Sequence, residues 1–226
     1  MITKKKYLPK GLIISAAGSG TGKTTFMLGL CKALSNRGIK VQPFKNGPDY
    51  IDPTFHQCAT GRSSTNLDTW AMKKENITSE LLEKTSDISL IEGSMGFFDG
   101  VASKGACGIG STADLARITG WPVIIILNVS GQAQSAAAVA LGFYNYDSKI
   151  KIAGVILNKV SSKRHRDLVE DGMKRAGVTV FGSLPNENSI SLPERHLGLI
   201  QPKQASEIDS ILSKLSTFIE SNVDVD

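Results

Sequence analysis

Short apolar runs alternate with stretches in which apolar residues recur every three or four positions. The runs Leu12–Ser15, Ile39–Phe44, Ile88–Ile91, Val123–Leu127, Ile152–Leu157 and Val178–Phe181 read as strands. Several are apolar almost without alternation, as expected for strands covered on both faces. The intervening segments predict helices: one from Lys23 bearing Phe26, Leu30, Ala33 and Leu34, then Ser79–Lys84, Thr112–Thr119, Gln132–Phe143 and Arg164–Ala176. Gly38 falls where the first helix needs a left-handed C′ residue. Strand and helix in alternation predict an α/β fold, a mostly parallel sheet between two layers of helices. Ile208, Ile211, Leu212, Leu215, Phe218 and Ile219 form a last amphipathic stripe, expected as a packing helix or a linker to a further domain. The expected division is residues 1–200 as the working domain and 201–226 as that C-terminal helix or tail.

Composition narrows the function classes. The 226 residues carry 26 basic and 21 acidic side chains, a net charge of +5. Four of the excess lysines, Lys4, Lys5, Lys6 and Lys10, lie in the first ten residues, leaving about +1 for the rest. A nucleic-acid surface needs clustered cations on the folded body, so none is expected. The longest apolar run, Val123–Leu127, is of strand length, so no membrane span is expected either. Met1–Lys10 is basic but no apolar cleavage-site segment follows, and a cytoplasmic protein is expected. Cys31, Cys58 and Cys107 match neither a disulfide framework nor a metal-binding spacing, and are expected as small buried side chains.

The first strand runs into Ala17-Gly-Ser-Gly-Thr-Gly-Lys-Thr24. This is the phosphate-loop spacing with Ala17 in place of the leading glycine. Glycines let backbone N–H groups wrap phosphate oxygens, and the helix that follows adds its partial positive charge. Gly20, Thr21, Gly22, Lys23, Thr24 and Thr25 are the candidate nucleotide-binding residues, Lys23 for the β/γ-phosphates in a solvent-open loop and the Thr24 hydroxyl for Mg²⁺. Glu92 ends the third apolar run and is the expected metal partner. After the second run come Lys45 and the turn Gly47-Pro-Asp-Tyr-Ile-Asp-Pro53. Asp49, Asp52, Glu92 and Asp99 are expected to converge with Lys23 and Lys45 around one polyphosphate, holding Mg²⁺ or orienting a nucleophile.

These segments, with Glu92-Gly-Ser-Met-Gly-Phe-Phe-Asp-Gly100, Gly110-Ser-Thr-Ala-Asp-Leu-Ala116, Ala153-Gly-Val-Ile-Leu-Asn158 and Leu192-Pro-Glu-Arg-His-Leu-Gly-Leu199, resemble the ATP-binding synthase domain of the cobyrinic acid a,c-diamide synthases, over roughly residues 11–200. The family's fold is similar to that of dethiobiotin synthetase. The resemblance implies ATP- and Mg²⁺-dependent amidation of side-chain carboxylates of a corrinoid or related tetrapyrrole through acyl phosphates. It implies Thr24 and Glu92, with Asp49 or Asp52, as metal ligands. It places Tyr50, Asp52, Asp99 and Ser111 toward substrate or ammonia, and Asn158 at the adenine edge. Family members usually continue into a glutaminase domain, so a glutaminase domain or subunit is an expected partner, and a homodimer stays open. Asn46 and Asn128 depart from the family pattern, which commonly has a small apolar residue and an aspartate there. Two other readings remain: another dethiobiotin-synthetase-like ligase, and a partition-type ATPase switch. Gly18 stands where partition ATPases carry their signature lysine.

Overall fold

A computed structural model describes residues 7–187 and 202–226; side chains are described for all of these except 202–206. Among the described residues seven strands form one sheet: β1 (Gly11–Ala16), β2 (Val41–Asn46), β3 (Thr65–Leu67), β4 (Ile88–Glu92), β5 (Val123–Asn128), β6 (Ile152–Val160) and β7 (Val180–Pro185). Their order is β3-β2-β4-β1-β5-β6-β7, and every pairing between them is parallel. The helices are α1 (Lys23–Asn36), α2 (Asp52–Thr60), α3 (Lys74–Glu83), α4 (Thr112–Thr119), α5 (Ser135–Tyr146), α6 (Lys163–Arg175) and α7 (Pro202–Asn222).

The unbroken apolarity of the central strands has its reason in two cores, one on each sheet face. Ile13, Ile91, Ile125 and Leu157 pack with α3 to α6. Ile14, Leu90, Ile126 and Ile156 on the opposite face pack with α1 and α7. Alternate residues of the same strands therefore serve different layers. Helix α7 lies against α1, where Gly29 admits it: a Cβ there would come within 2.5 Å of Ile219. Its stripe of Ile208, Leu212, Leu215 and Ile219 is buried.

Two elements were absent from the sequence expectation. Strand β3 has only three residues, two of them polar, and holds its place at the sheet edge by pairing with β2. Helix α2 begins within the segment read as a turn. Pro53 sits in its first turn, where the missing N–H costs nothing, and Gly61 closes it at φ 70°. The thiols also differ from expectation: Cys31 is buried in α1, but Cys58 is exposed and Cys107 half-buried.

The sheet order puts β1 between β4 and β5, so the chain crosses from one half of the sheet to the other at β1. Ligands bind at the carboxyl ends of strands beside such a crossing. The phosphate loop, the β2–α2 junction and the loop after β4 all emerge there.

Candidate active site

The loop between β1 and α1 is shaped by glycines at Gly20 (φ 71°) and Gly22 (φ 98°). A side chain at Gly22 would be strained by this left-handed backbone, and its Cβ would lie 2.3 Å from the Asn158 amide, which would have to move. Lys23 is only 8 % exposed, against the expectation of a solvent-open loop. Its ammonium donates to the Gly18 carbonyl at 2.8 Å and the Met95 carbonyl at 2.6 Å. Burial pulls its pKa down, partly opposed by Glu92. A lysine held this way by two carbonyls lies folded against the loop.

Glu92, at the end of β4, is completely buried. Burial alone would push its carboxyl up. Lys45, His56 and Thr24 outweigh burial and hold it at about 2. The Thr24 hydroxyl donates to Oε1 at 2.6 Å, and the Lys45 ammonium lies 3.1 Å from the same oxygen. Lys45 also donates to Asp52 Oδ2 at 2.7 Å, and that oxygen lies 3.4 Å from the Thr24 hydroxyl. Burial, with Glu92 nearby, raises the Asp52 pKa despite the lysine. Lys45 itself is raised, its two carboxylate partners overcoming its own burial. One cation thus balances two buried carboxylates, and the cluster stays intact only as a unit.

The expected convergence is therefore partial. Thr24, Lys45, Asp52 and Glu92 meet directly, and Lys23 lines the same cleft of about 430 Å³. Asp49 lies at its border: Oδ2 is 3.9 Å from Lys45, while Oδ1 accepts from the backbone of Ile51 and Asp52 and so starts α2. Tyr50 is 82 % exposed. Asp99 is exposed and accepts from the Gly96 N–H, closing the turn after β4. Ser111 is buried, its hydroxyl caps α4 by accepting from the Asp114 N–H at 3.2 Å, and it is not among the residues that line the cleft. The segment Leu192–Leu199 lies outside the described residues. Asn46, one of the two departures from the family pattern, is buried and donates to Ser94 and Gly110, tying β2 to two loops.

A second cleft of about 260 Å³ continues from Gly20 and Gly22 toward Phe26, Asn158, Pro185 and Phe218. Asn158 donates to the Thr21 carbonyl at 2.8 Å and accepts from the Lys159 N–H. The two clefts meet at the phosphate loop, a layout suited to a purine on one side and a phosphate chain on the other. A roomier groove of about 560 Å³ between α6 and β7 contains none of the candidate groups.

Sequence reasoning passed over His56. It is fully buried on α2, and its Nε2 lies 2.6 Å from Glu92 Oε2. Since an ionised carboxylate only accepts, Nε2 carries the proton of this bond. The signal was available in hindsight: once α2 is known to begin at Asp52, His56 follows at i+4 on the same helix face.

The donor set fits magnesium. Thr24, Asp52 and Glu92 offer hard oxygens within a few ångströms of one another beside a phosphate loop. Among the described residues no three His, Cys, Asp or Glu side chains form a metal cage.

The family model for the CobQ/CobB/MinD/ParA nucleotide-binding domain matches residues 12–200. The hydrogenobyrinate a,c-diamide synthase of Rhodobacter capsulatus is 49 % identical over 96 % of this chain and 50 % of its own length. That of Mesorhizobium japonicum is 44 % identical over 96 % and 50 %. The chain thus spans about half the length of the curated relatives it matches. Among solved structures, the MinC:MinD cell division complex of Aquifex aeolicus aligns with a TM-score of 0.58 at 15 % identity, covering 96 % of this chain and 98 % of that one. At that identity the likeness is one of fold.

Proposed function

The chain belongs to the CobQ/CobB/MinD/ParA nucleotide-binding domain family, and from that premise we propose that it is the ATP-dependent half of a corrinoid a,c-diamide synthase. The reaction transfers the γ-phosphoryl group of ATP to a side-chain carboxylate. Ammonia then displaces phosphate to leave an amide, ADP and inorganic phosphate. The a and c carboxylates of a hydrogenobyrinate-type macrocycle are the substrate groups, as the names of the similar synthases suggest. The observation that carries this reading is the Thr24–Lys45–Asp52–Glu92 cluster, its three charged members buried, lining one cleft together with Lys23.

Phosphoryl transfer needs little covalent help from a protein; it needs alignment and charge neutralisation. Lys23 leaves its carbonyl partners for the β/γ-phosphates. Lys45, already between two carboxylates, is placed to meet charge that develops on the transferred group. Magnesium, bound with the nucleotide, supplies further neutralisation of the phosphate oxygens. Thr24 and Glu92 would hold it, and Asp52 is the better of the two aspartate candidates, because Asp49 is already engaged in starting α2. Tyr50 and Asp99, both exposed at the rim, are proposed to contact the macrocycle, whereas Ser111 serves α4. The second amide hydrogen of Asn158 would meet an acceptor on the adenine edge. Gly20, Thr21, Gly22 and Thr25 complete the nucleotide site.

Nitrogen is proposed to come as ammonia from a glutaminase domain or subunit. Burial raises all three thiols of this chain, whereas a glutaminase needs an activated thiolate. A cytoplasmic setting suits these substrates. With ATP, Mg²⁺ and an ammonium salt, ADP release should depend on a corrinoid carboxylic acid and yield its amides by mass spectrometry. Hydrolysis stimulated only by DNA or a protein partner would overturn this reading in favour of an ATPase switch.

A further inference from the structure

Helix α2 sends two side chains one turn apart into the charged cluster, and only one of them lines the cleft. Asp52 does. His56 sits behind Glu92, with no exposure, between that carboxylate and the entry to β3. Its Nε2 is 2.6 Å from Glu92 Oε2, and its Nδ1 is 3.0 Å from the Ser64 hydroxyl. The two oxygens of Glu92 are therefore divided. Oε2 is bound from behind by the imidazole, and Oε1 faces Thr24 and Lys45 at the cleft.

This division has a consequence for metal binding. A carboxylate bonded at one oxygen only would rotate about its last torsion and present either oxygen, or both, to an ion. A buried imidazole on the rear oxygen fixes which one faces forward. An apolar side chain would fill the same space without leaving polar nitrogens to satisfy. Partners of this kind, one bond removed from the ion, typically contribute 10–100-fold to metal affinity.

We propose that His56 is a positioning residue for the divalent cation: it clamps Glu92 Oε2 so that Oε1 is presented with the Thr24 hydroxyl at the nucleotide. The inference rests on the reading of Glu92 as a metal partner and adds a residue to it.

The test uses Mn²⁺ as a paramagnetic stand-in, titrated into the chain saturated with a non-hydrolysable ATP analogue and followed by the free-ion resonance signal. His56→Leu should weaken Mn²⁺ binding by about 10–100-fold. Affinity for the analogue without metal should stay within about twofold of the parent, a split that general loosening of the site would not give. His56→Gln, whose amide can still donate to Oε2, should recover Mn²⁺ affinity to within about fivefold. If His56→Leu does not fold, His56→Asn, too short to reach Oε2, replaces it with the same expected loss. Unchanged Mn²⁺ affinity in the folded variant overturns the role of His56, as do parallel losses of metal and metal-free nucleotide binding. Glu92→Gln in the same assay separates the two levels. If it weakens Mn²⁺ binding while the His56 variant does not, only the clamp fails. If it too binds Mn²⁺ like the parent, the metal reading of Glu92 fails with it.

Discussion

The β2–α2 and β5–α5 junctions lie on opposite sides of β1, both at the carboxyl edge of the sheet and both rich in polar residues. They are built on opposite principles. At β2–α2, Lys45 and His56 are buried and bonded to Glu92, 47 and 36 positions away, while the buried Asp52 accepts from Lys45 and lies 3.4 Å from the Thr24 hydroxyl, 28 positions back. At β5–α5, Asn128 accepts from the backbone and hydroxyl of Ser130, two residues on, and Ser130, Gly131 and Gln132 are exposed. The second junction is an exposed turn held by its own Asn128–Ser130 bonds, with the Gln132 carbonyl also 2.6 Å from His165 Nε2. The first needs several elements to satisfy it, and it is the one that opens on the phosphate loop. Polar residues at a strand end mark a site when their partners are remote and water is excluded, since only then is their charge strong enough for chemistry.

Breaking the buried junction should cost most. Lys45→Met leaves two carboxylates without their cation and should destabilise the fold by about 3–5 kcal/mol, read from denaturant unfolding. A change below about 1 kcal/mol would mean that water reaches the cluster. Lys23→Ala removes the loop's own cation and should cut turnover by about a hundredfold or more, with native circular dichroism. Residual activity within about tenfold would contradict the phosphate-loop assignment.

The same junction should dominate the acid response. Because the folded carboxyl of Glu92 is depressed to about 2 from 4.5, its contribution is present above about pH 4.5 and is lost as pH falls toward 2. Asp52, raised in the folded state, acts in the opposite sense. Metal-free stability of the parent should therefore fall more steeply below pH 4.5 than that of Glu92→Gln, by up to about 1.4 kcal/mol per pH unit. Parallel curves would show that Glu92 does not carry this linkage. The exposed junction should respond least. Asn128→Asp keeps both acceptor bonds to Ser130, so stability should change by no more than about 0.5 kcal/mol and turnover by no more than about threefold. A larger change in turnover would bring β5–α5 into the site.

The same contrast explains what was legible in the sequence. The central strands, α1 and the phosphate loop announce themselves because their signals are local: apolar runs such as Val123–Leu127, a 3.6-residue stripe, a glycine-rich loop. The β3 strand is too short and polar to register, and exists because β2 offers it an edge. Helix α2 was hidden by Gly47, Pro48 and Pro53, which read as turn formers although Pro53 only marks a helix start. With α2 unrecognised, His56 had no face and no partner, and the pairing of a helix residue with a strand end 36 positions later leaves no local trace. Lys45, Asp52 and Glu92 were legible as charged residues just beyond apolar runs, and the resemblance added roles for Asp52 and Glu92. Their burial, their sharing of one cation, and the different duties of Asp49 and Ser111 emerged only from the fold.

The buried junction is proposed to activate a carboxylate by phosphorylation. This activation is tested most directly with a corrinoid substrate whose carboxylates carry ¹⁸O, incubated with ATP, Mg²⁺ and ammonium, with the inorganic phosphate analysed by mass spectrometry. One ¹⁸O should appear in phosphate for each amide formed, because the oxygen that accepted the phosphoryl group leaves with it. Amide formation with phosphate free of ¹⁸O would contradict it.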